Sequence, residues 1–565
     1  MPIILRFAVA AGLSIAALSA PAFASPDDGY LSGTYLAGRT AGRLRDIDAA
    51  SGYVENALKG DPDNIVLVER LFLLDVSSGD IAAAEELAAR VITFNSEHRM
   101  ARLVLGLADI RNGKFEAARG HFAESAYTPI GELAAALLTA WTYAGEKNLA
   151  GAIKELGKLA DNESFTDFKL FHEGLIADYL NSPLRADTAY HAASKNAGSN
   201  LRVAQALGSF LHRNGKGKDA ERVYRAFLEI NANNVIMEAA LADLLAKKPA
   251  VPFVGSVRDG VGEALFSLAA AMNDGESLEV ALVYAQLAAQ NSDDAPVMQT
   301  LLGDVHADMG RYQAAIDAYE KVDGTSALRP TAETEVALNL QRLKQTDAAQ
   351  ARLRALIAKN ANNYSAHVTL GNVLRNNDQF AEASESYSKA IALFGEAQKP
   401  SWQIHYFRGI ARERLKQWET AEQDFRAALA LSPEEASVLN YLGYSLIDRG
   451  LKLDEALKMV KLAVELRPND GYIIDSLGWA FFRLGKFEDA VEQLERAVEL
   501  KAGDPIIAEH LGDAYWKVGR ELEARFQWQH AKDNEPEPDD LKRIENKLRN
   551  GFVENAAEKV EPSKG

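Results

Sequence analysis

Cysteine is absent from all 565 residues. That excludes disulfides, thiolate metal ligands and cysteine nucleophiles. A basic excess is missing too, since 62 Lys and Arg stand against 80 Asp and Glu for a formal charge of −18. Binding to nucleic acid or to anionic lipid needs a positive footprint, so neither is expected. Past residue 18, no run approaches the roughly 18 apolar residues that span a bilayer. Neither H-E-x-x-H nor G-x-S-x-G occurs, and the ten histidines are scattered, so no metal site, cofactor or catalytic centre is expected. Gly215-Lys216-Gly217-Lys218 loosely matches a dinucleotide loop but follows a helical pattern rather than a strand. Ser386 and Lys389 have serine–lysine spacing but flank Tyr387, a packing position. No Val/Ile/Thr-rich strand series appears, so almost no sheet is expected.

What is present is a lattice of alanines. Ala50, Ala84, Ala118, Ala152, Ala186 and Ala220 lie 34 residues apart, as do Ala281, Ala315, Ala349 and Ala383. With small slips the lattice continues through Ala421, Ala456, Ala490 and Ala524. Twelve residues upstream recurs a second small slot, as at Gly106, Gly174, Gly208, Gly303, Gly371, Gly409, Gly478 and Gly512. Five before the alanine a turn glycine recurs, as at Gly79, Gly113, Gly215, Gly310, Gly485 and Gly519. Four after it stands a large residue, among them Phe122, Tyr190, Tyr224, Tyr319, Tyr387, Phe425 and Trp528. Small residues let paired helices approach and large ones fill the neighbouring gaps. A left-handed glycine ends the first helix at little cost.

A period of 34 with these slots resembles the tetratricopeptide repeat, best of all over Leu477-Gly478-Trp479-Ala480-Phe481-Phe482-Arg483-Leu484-Gly485. The resemblance implies an all-α, right-handed α-solenoid. It would hold about fourteen helix–turn–helix units in two segments, closed by a capping helix. Each unit buries its apolar face only by stacking on neighbours.

Residues 1–24 read as an export signal. Arg6 precedes an apolar run from Phe7 to Leu18, and Ala22-Phe23-Ala24 gives a small-x-small cleavage site before Ser25. The mature chain, 61 basic against 80 acidic residues, is expected in a bacterial periplasm. It would carry no transmembrane segment and, lacking cysteine, no lipid anchor.

The lattice breaks once, between Ala220 and Ala281. Lys247-Lys248-Pro249-Ala250-Val251-Pro252-Phe253-Val254-Gly255 forbids a second helix there. The reading is an N-terminal solenoid over 25–246, a linker or insertion over 247–262 and a C-terminal solenoid over 263–536. The break is a hinge, a loop that meets a partner, or an insertion packed on one face. Leu541, Ile544 and Leu548 make one apolar stripe, giving a capping helix over 537–552. The polar residues 553–565 are expected to be disordered.

In tetratricopeptide arrays the first helices line the concave face, and one stripe of each meets the ligand. Here that implies a partner-binding groove of Tyr406, Arg414, Asn440, Tyr444, Tyr472, Asp475, Trp479, Phe482, Arg483, Glu509, Asp513, Trp516 and Lys517. Rigid aromatics flanked by charge suit a peptide laid in a groove. Asn372 and Arg375 offer only a fragment of a two-carboxylate clamp, so capture of a peptide's carboxyl end is not expected.

The block from Asn440-Tyr441-Leu442-Gly443-Tyr444 through Arg467-Pro468-Asn469-Asp470 to Ala508-Glu509-His510-Leu511-Gly512-Asp513 is more particular. It resembles exported tetratricopeptide proteins of Gram-negative bacteria, including the lipoprotein adaptor that activates a periplasmic carboxyl-terminal processing protease. The resemblance implies a non-enzymatic adaptor that binds protein or peptide partners, among them a protease and cell-wall-related substrates. The competing expectation is a scaffold for polysaccharide synthesis or export across the envelope.

Overall fold

A computed structural model describes residues 31–44, 46–196, 200–273, 277–292, 295–394 and 400–552. The signal at 1–24, its Ala24–Ser25 cleavage site and the tail at 553–565 lie outside the described residues. Among those residues there are thirty α-helices and no strand, in two compact units, 1–345 and 346–565.

Unit 1 opens with six helix pairs. They are α1 (Leu31–Arg43) with α2 (Ile47–Gly60), α3 (Ile65–Ser78) with α4 (Ile81–Phe94), and α5 (Arg99–Arg111) with α6 (Phe115–Ala123). Next come α7 (Pro129–Gly145) with α8 (Leu149–Gly157), α9 (Thr166–Tyr179) with α10 (Pro183–Asn196), and α11 (Leu201–Arg213) with α12 (Gly217–Ile230). The single helix α13 (Val235–Leu245) follows. The unit closes with α14 (Val257–Ala271), α15 (Leu278–Gln290), α16 (Ala295–Asp308), α17 (Tyr312–Glu320) and α18 (Arg329–Arg342).

Unit 2 holds α19 (Thr346–Lys359), α20 (Tyr364–Asn376), α21 (Phe380–Ala392), α22 (Trp402–Arg414), α23 (Trp418–Leu431) and α24 (Ala436–Asp448). It ends with α25 (Leu453–Leu466), α26 (Gly471–Arg483), α27 (Phe487–Leu500), α28 (Pro505–Lys517), α29 (Glu521–Asp533) and the terminal α30 (Pro538–Asn550). Its boundary with unit 1 falls between α18 and α19, inside the repeat that Ala337 and Ala349 mark, whereas 247–262 lies wholly within unit 1.

The slots do what their chemistry requires. All fourteen lattice alanines are fully buried. A Cβ added at Gly371 would come within 2.6 Å of Tyr387, at Gly409 within 2.7 Å of Phe425, and at Gly512 within 2.5 Å of Trp528. So the small slot is the seat of the large residue sixteen places on. The turn slot is left-handed even where glycine is missing, with φ of +57° at Lys147, +56° at Asn181, +62° at Lys344, +57° at Asp378 and +61° at Lys416. Lys247, at +55°, ends α13 in the same way. Short polar residues then start many helices. Asp80 accepts from the Ala83 amide, Asn64 from those of Val66 and Leu67, and Asp504 from those of Ile506 and Ile507.

Candidate partner-binding surfaces

In unit 1 the first-helix face of α3, α7, α9 and α11 is already occupied. After α13 the prolines prevent a second helix, and the chain crosses α11 and α9 in extended form. The Ser209 hydroxyl donates to the Val251 carbonyl at 2.6 Å. Phe253 meets Phe171 edge-on at 6.3 Å and lies 4.4 Å from the Arg202 guanidinium. Helix α14 then packs on α7 and α9, and α15 on α3. Gly260 permits this approach, because any Cβ there would run into the Trp141 ring.

Arg202 and Glu263 form a buried ion pair across this contact, with Nη2 2.5 Å and Nε 3.1 Å from the carboxylate. A buried ion pair adds little net stability, but removing one partner costs several kcal/mol, roughly 3–5. Trp141 donates to His172 Nδ1 at 3.1 Å, and full burial pushes that imidazole down to about 3. Packing on both faces explains why every residue from Leu133 to Trp141 is buried, all of them apolar but Thr139. The segment 247–262 thus runs along the inner face of its own unit.

In unit 2 the thirteen groove residues of the sequence reading fall into two groups. Asp475, Phe482, Glu509 and Asp513 are buried, and the other nine are half-buried. The buried carboxylates are engaged within the fold. Asp475 lies 2.8 Å from His510 Nδ1. Glu509 accepts from Arg543 at 2.6 Å and Lys547 at 2.7 Å, and Asp513 from Lys547 at 2.5 Å and the Trp528 indole at 2.9 Å. Burial alone would lower the His510 pKa, but the Asp475 carboxylate outweighs it and raises it above 6.5. Burial would raise Glu509, yet Arg543 and Lys547 hold it below the usual carboxylate range.

Around this network lie the aromatics. Trp479 stacks between Phe482 at 4.9 Å and His510 at 4.2 Å. Trp516 lies 5.4 Å from Trp528, and Lys517 sits 4.9 Å over Phe552. Tyr406 meets Tyr441 edge-on at 5.9 Å, and burial pushes its phenol up to about 12. Tyr444 is raised too, by burial and then by Asp448 and Asp475. The Lys501 ammonium lies 5.1 Å from the Tyr472 ring, and Arg483 donates to Asp448 at 3.2 Å. Four groove side chains hold buried polar atoms without a hydrogen bond: Arg414 at Nε and Nη2, with the Glu413 carboxylate 3.9 Å away, Asn440 at Oδ1, Asp475 at Oδ2 and Trp479 at Nε1.

Sequence reasoning missed Arg202, Glu263, His510, Arg543 and Lys547. One signal was available, since Glu509 with Arg543 and Asp513 with Lys547 are opposite charges 34 residues apart, one repeat length.

Comparison with known proteins places the repeat. Models described as TPR repeat and tetratricopeptide repeat match residues 70–131, 298–325, 337–401, 368–436, 406–471 and 478–519. The chain folds as a solenoid of tetratricopeptide repeats. A TPR repeat-containing protein of Pseudomonas aeruginosa is 28% identical over 172 residues, 30% of this chain and 28% of that one. A lipoprotein NlpI homolog of Haemophilus influenzae is 35% identical over 85 residues, 15% of this chain and 26% of that one. The matched region thus spans little more than a quarter of either relative. Among solved structures, the Cut9 and Hcn1 assembly of the APC/C is 14% identical at a TM-score of 0.38, covering 91% of this chain and 96% of that one. No helix among the described residues of this tetratricopeptide solenoid is long and apolar enough to cross a membrane.

Proposed function

We propose that the protein is a non-enzymatic scaffold that docks segments of partner proteins on the first-helix face of unit 2. The observation that carries this reading is the set of buried atoms of Arg414, Asn440, Asp475 and Trp479 that make no hydrogen bond, on three successive first helices. Buried polar groups are nearly always hydrogen-bonded. Donors and acceptors without a hydrogen bond on one helix face suit a peptide backbone, which offers both once the face opens to it. In unit 1 the equivalent face of α3, α7 and α9 is covered by α14 and α15.

The finer reading is an exported adaptor in the periplasm that brings a processing protease together with cell-wall-related substrates. Support for it comes from the signal-like first 24 residues and from the likeness of the 440–513 block to exported adaptors. Pull-down from a periplasmic extract, with an Arg414→Gln/Asn440→Ala variant in parallel, tests the docking surface. Capture should be lost in the variant, and unchanged capture contradicts the reading. Faster cleavage of a cell-wall hydrolase by the protease on adding this protein tests the adaptor role.

A further inference from the structure

We infer that Phe552 is a built-in occupant of the unit 2 docking face, and that a partner takes its seat with a glycine–aromatic pair of its own. The inference rests on the docking face proposed above and names what holds that face shut. Helix α30 ends at Asn550, and Gly551 follows with φ +77° and ψ −177°, a conformation essentially closed to other residues. A Cβ on Gly551 would come within 2.5 Å of the Trp516 ring, so glycine also lets the backbone lie against that ring. Phe552 then meets Phe482 edge-on at 5.8 Å. The Lys517 ammonium lies 4.9 Å and the Lys547 ammonium 5.6 Å from its ring centre. Phe482, Trp516 and Lys517 are groove residues of the sequence reading, and the chain itself covers them.

Capping the solenoid does not require this contact. Ile544, fully buried, and the pairs of Arg543 and Lys547 with Glu509 already anchor α30. Phe552 stands beyond the helix and is only half-buried. Its seat is nevertheless preorganised, because Glu509 at 2.7 Å and Asp513 at 2.5 Å fix the Lys547 ammonium. Two ammonium groups beside one ring favour an aromatic side chain over an aliphatic one of equal size. The seat also continues into the proposed docking face. Phe482 stacks 4.9 Å from Trp479, whose indole Nε1 makes no hydrogen bond.

A segment that displaces Phe552 meets the same constraints. It needs an aromatic ring for the two cations, and before it a glycine whose backbone can lie on Trp516. While Phe552 holds the seat, the apparent affinity for such a segment falls in proportion to the fraction of molecules that are open.

The test is fluorescence anisotropy with labelled peptides of the chain's own sequence, Arg-Asn-Gly-Phe-Val-Glu-Asn, carrying phenylalanine, cyclohexylalanine or alanine at the fourth place. The Phe552→Ala chain should bind the phenylalanine peptide at least tenfold tighter than the parent chain does, with unchanged far-ultraviolet dichroism. Gly551→Ala, which lifts the backbone from Trp516 and keeps the ring, should raise binding in the same direction. The cyclohexylalanine and alanine peptides should bind more weakly than the phenylalanine peptide. Equal binding of the phenylalanine peptide to parent and Phe552→Ala chains overturns the inference, and so does binding that Trp516→Ala leaves unchanged. Equal binding of the phenylalanine and cyclohexylalanine peptides overturns the aromatic preference. No peptide binding to either chain, while capture from a periplasmic extract still depends on Arg414 and Asn440, overturns the seat and leaves the docking face standing. Sedimentation showing a dimer of the parent chain that Phe552→Ala dissolves gives the seat to a second copy and overturns the partner assignment.

Discussion

Glu509 and Arg543 stand 34 residues apart in the chain and 2.6 Å apart in space. The pair ties α30 to α28, and Lys547 reinforces it by bridging Glu509 and Asp513. The last helix is thus held by charge as well as by Ile544, its one fully buried side chain. Replacing Arg543 with Ala should destabilise unit 2 by about 3 kcal/mol, because it leaves Glu509 buried with one partner fewer. Urea unfolding followed by tryptophan fluorescence measures this, and a loss under about 0.5 kcal/mol, the size of an exposed pair, contradicts the assignment.

His510 gives unit 2 a pH dependence of definite sign. Its folded pKa is raised above 6.5, so the folded state holds this proton more tightly than the unfolded chain does. Its contribution is fully present below 6.5 and is lost as pH rises through the folded value. His172 in unit 1 acts the other way. Its pKa is lowered to about 3, so unit 1 loses stability as pH falls from 6.5 towards 3. Denaturant unfolding from pH 4 to 8, on the protein and on His510→Gln and His172→Gln, checks both slopes. A flat difference curve for either histidine contradicts its placement.

The left-handed turn slot yields a stabilising substitution. Lys416 holds φ at +61°, where a side chain costs about 1–2 kcal/mol. Glycine relieves that strain but gains freedom in the unfolded chain worth about 0.4–1 kcal/mol. Lys416→Gly should therefore stabilise by up to about 1 kcal/mol, and Gly485→Ala at φ +73° should destabilise by a similar amount. Paired urea denaturation curves decide it, and the opposite order of stabilities contradicts the slot assignment.

The segment folded onto the inner face of unit 1 should depend on its ion pair. Glu263→Ala strands a buried guanidinium and should cost about 3–5 kcal/mol, whereas Arg202→Met with Glu263→Leu should cost far less. Hydrogen exchange at α7 and α9 reports whether the face opens. A single and a double variant of equal stability would mean that the pair is exposed.

Much of this architecture was legible because the repeat writes itself into fixed slots. The fourteen alanines, the glycine seats under Tyr387, Phe425 and Trp528, and the left-handed turn each follow from local packing, so periodicity alone locates them. The path of α14 and α15 was not legible. A helix pair carries the same pattern whether it stacks next in line or folds back onto an earlier face. The one cue was the run from Leu133 to Trp141, apolar on every side but for Thr139, which a first helix with an open face does not need. At the groove, stripe position marks Arg414, Asn440 and Trp479. It also marks Asp475, Glu509 and Asp513, because a carboxylate on the inner face has the same spacing whether it meets a ligand or the next helix. The partners of those carboxylates decide the matter, and they lie a full repeat away.

Site-specific photo-crosslinking tests the central claim most directly. A photoreactive side chain at position 440, on the first-helix face of unit 2, should form an adduct with a bound partner, and Arg414→Gln should abolish it. The same side chain at position 251, over the filled face of unit 1, should form none. Adducts at 251 that match those at 440, or adducts at 440 that survive Arg414→Gln, would contradict docking on unit 2.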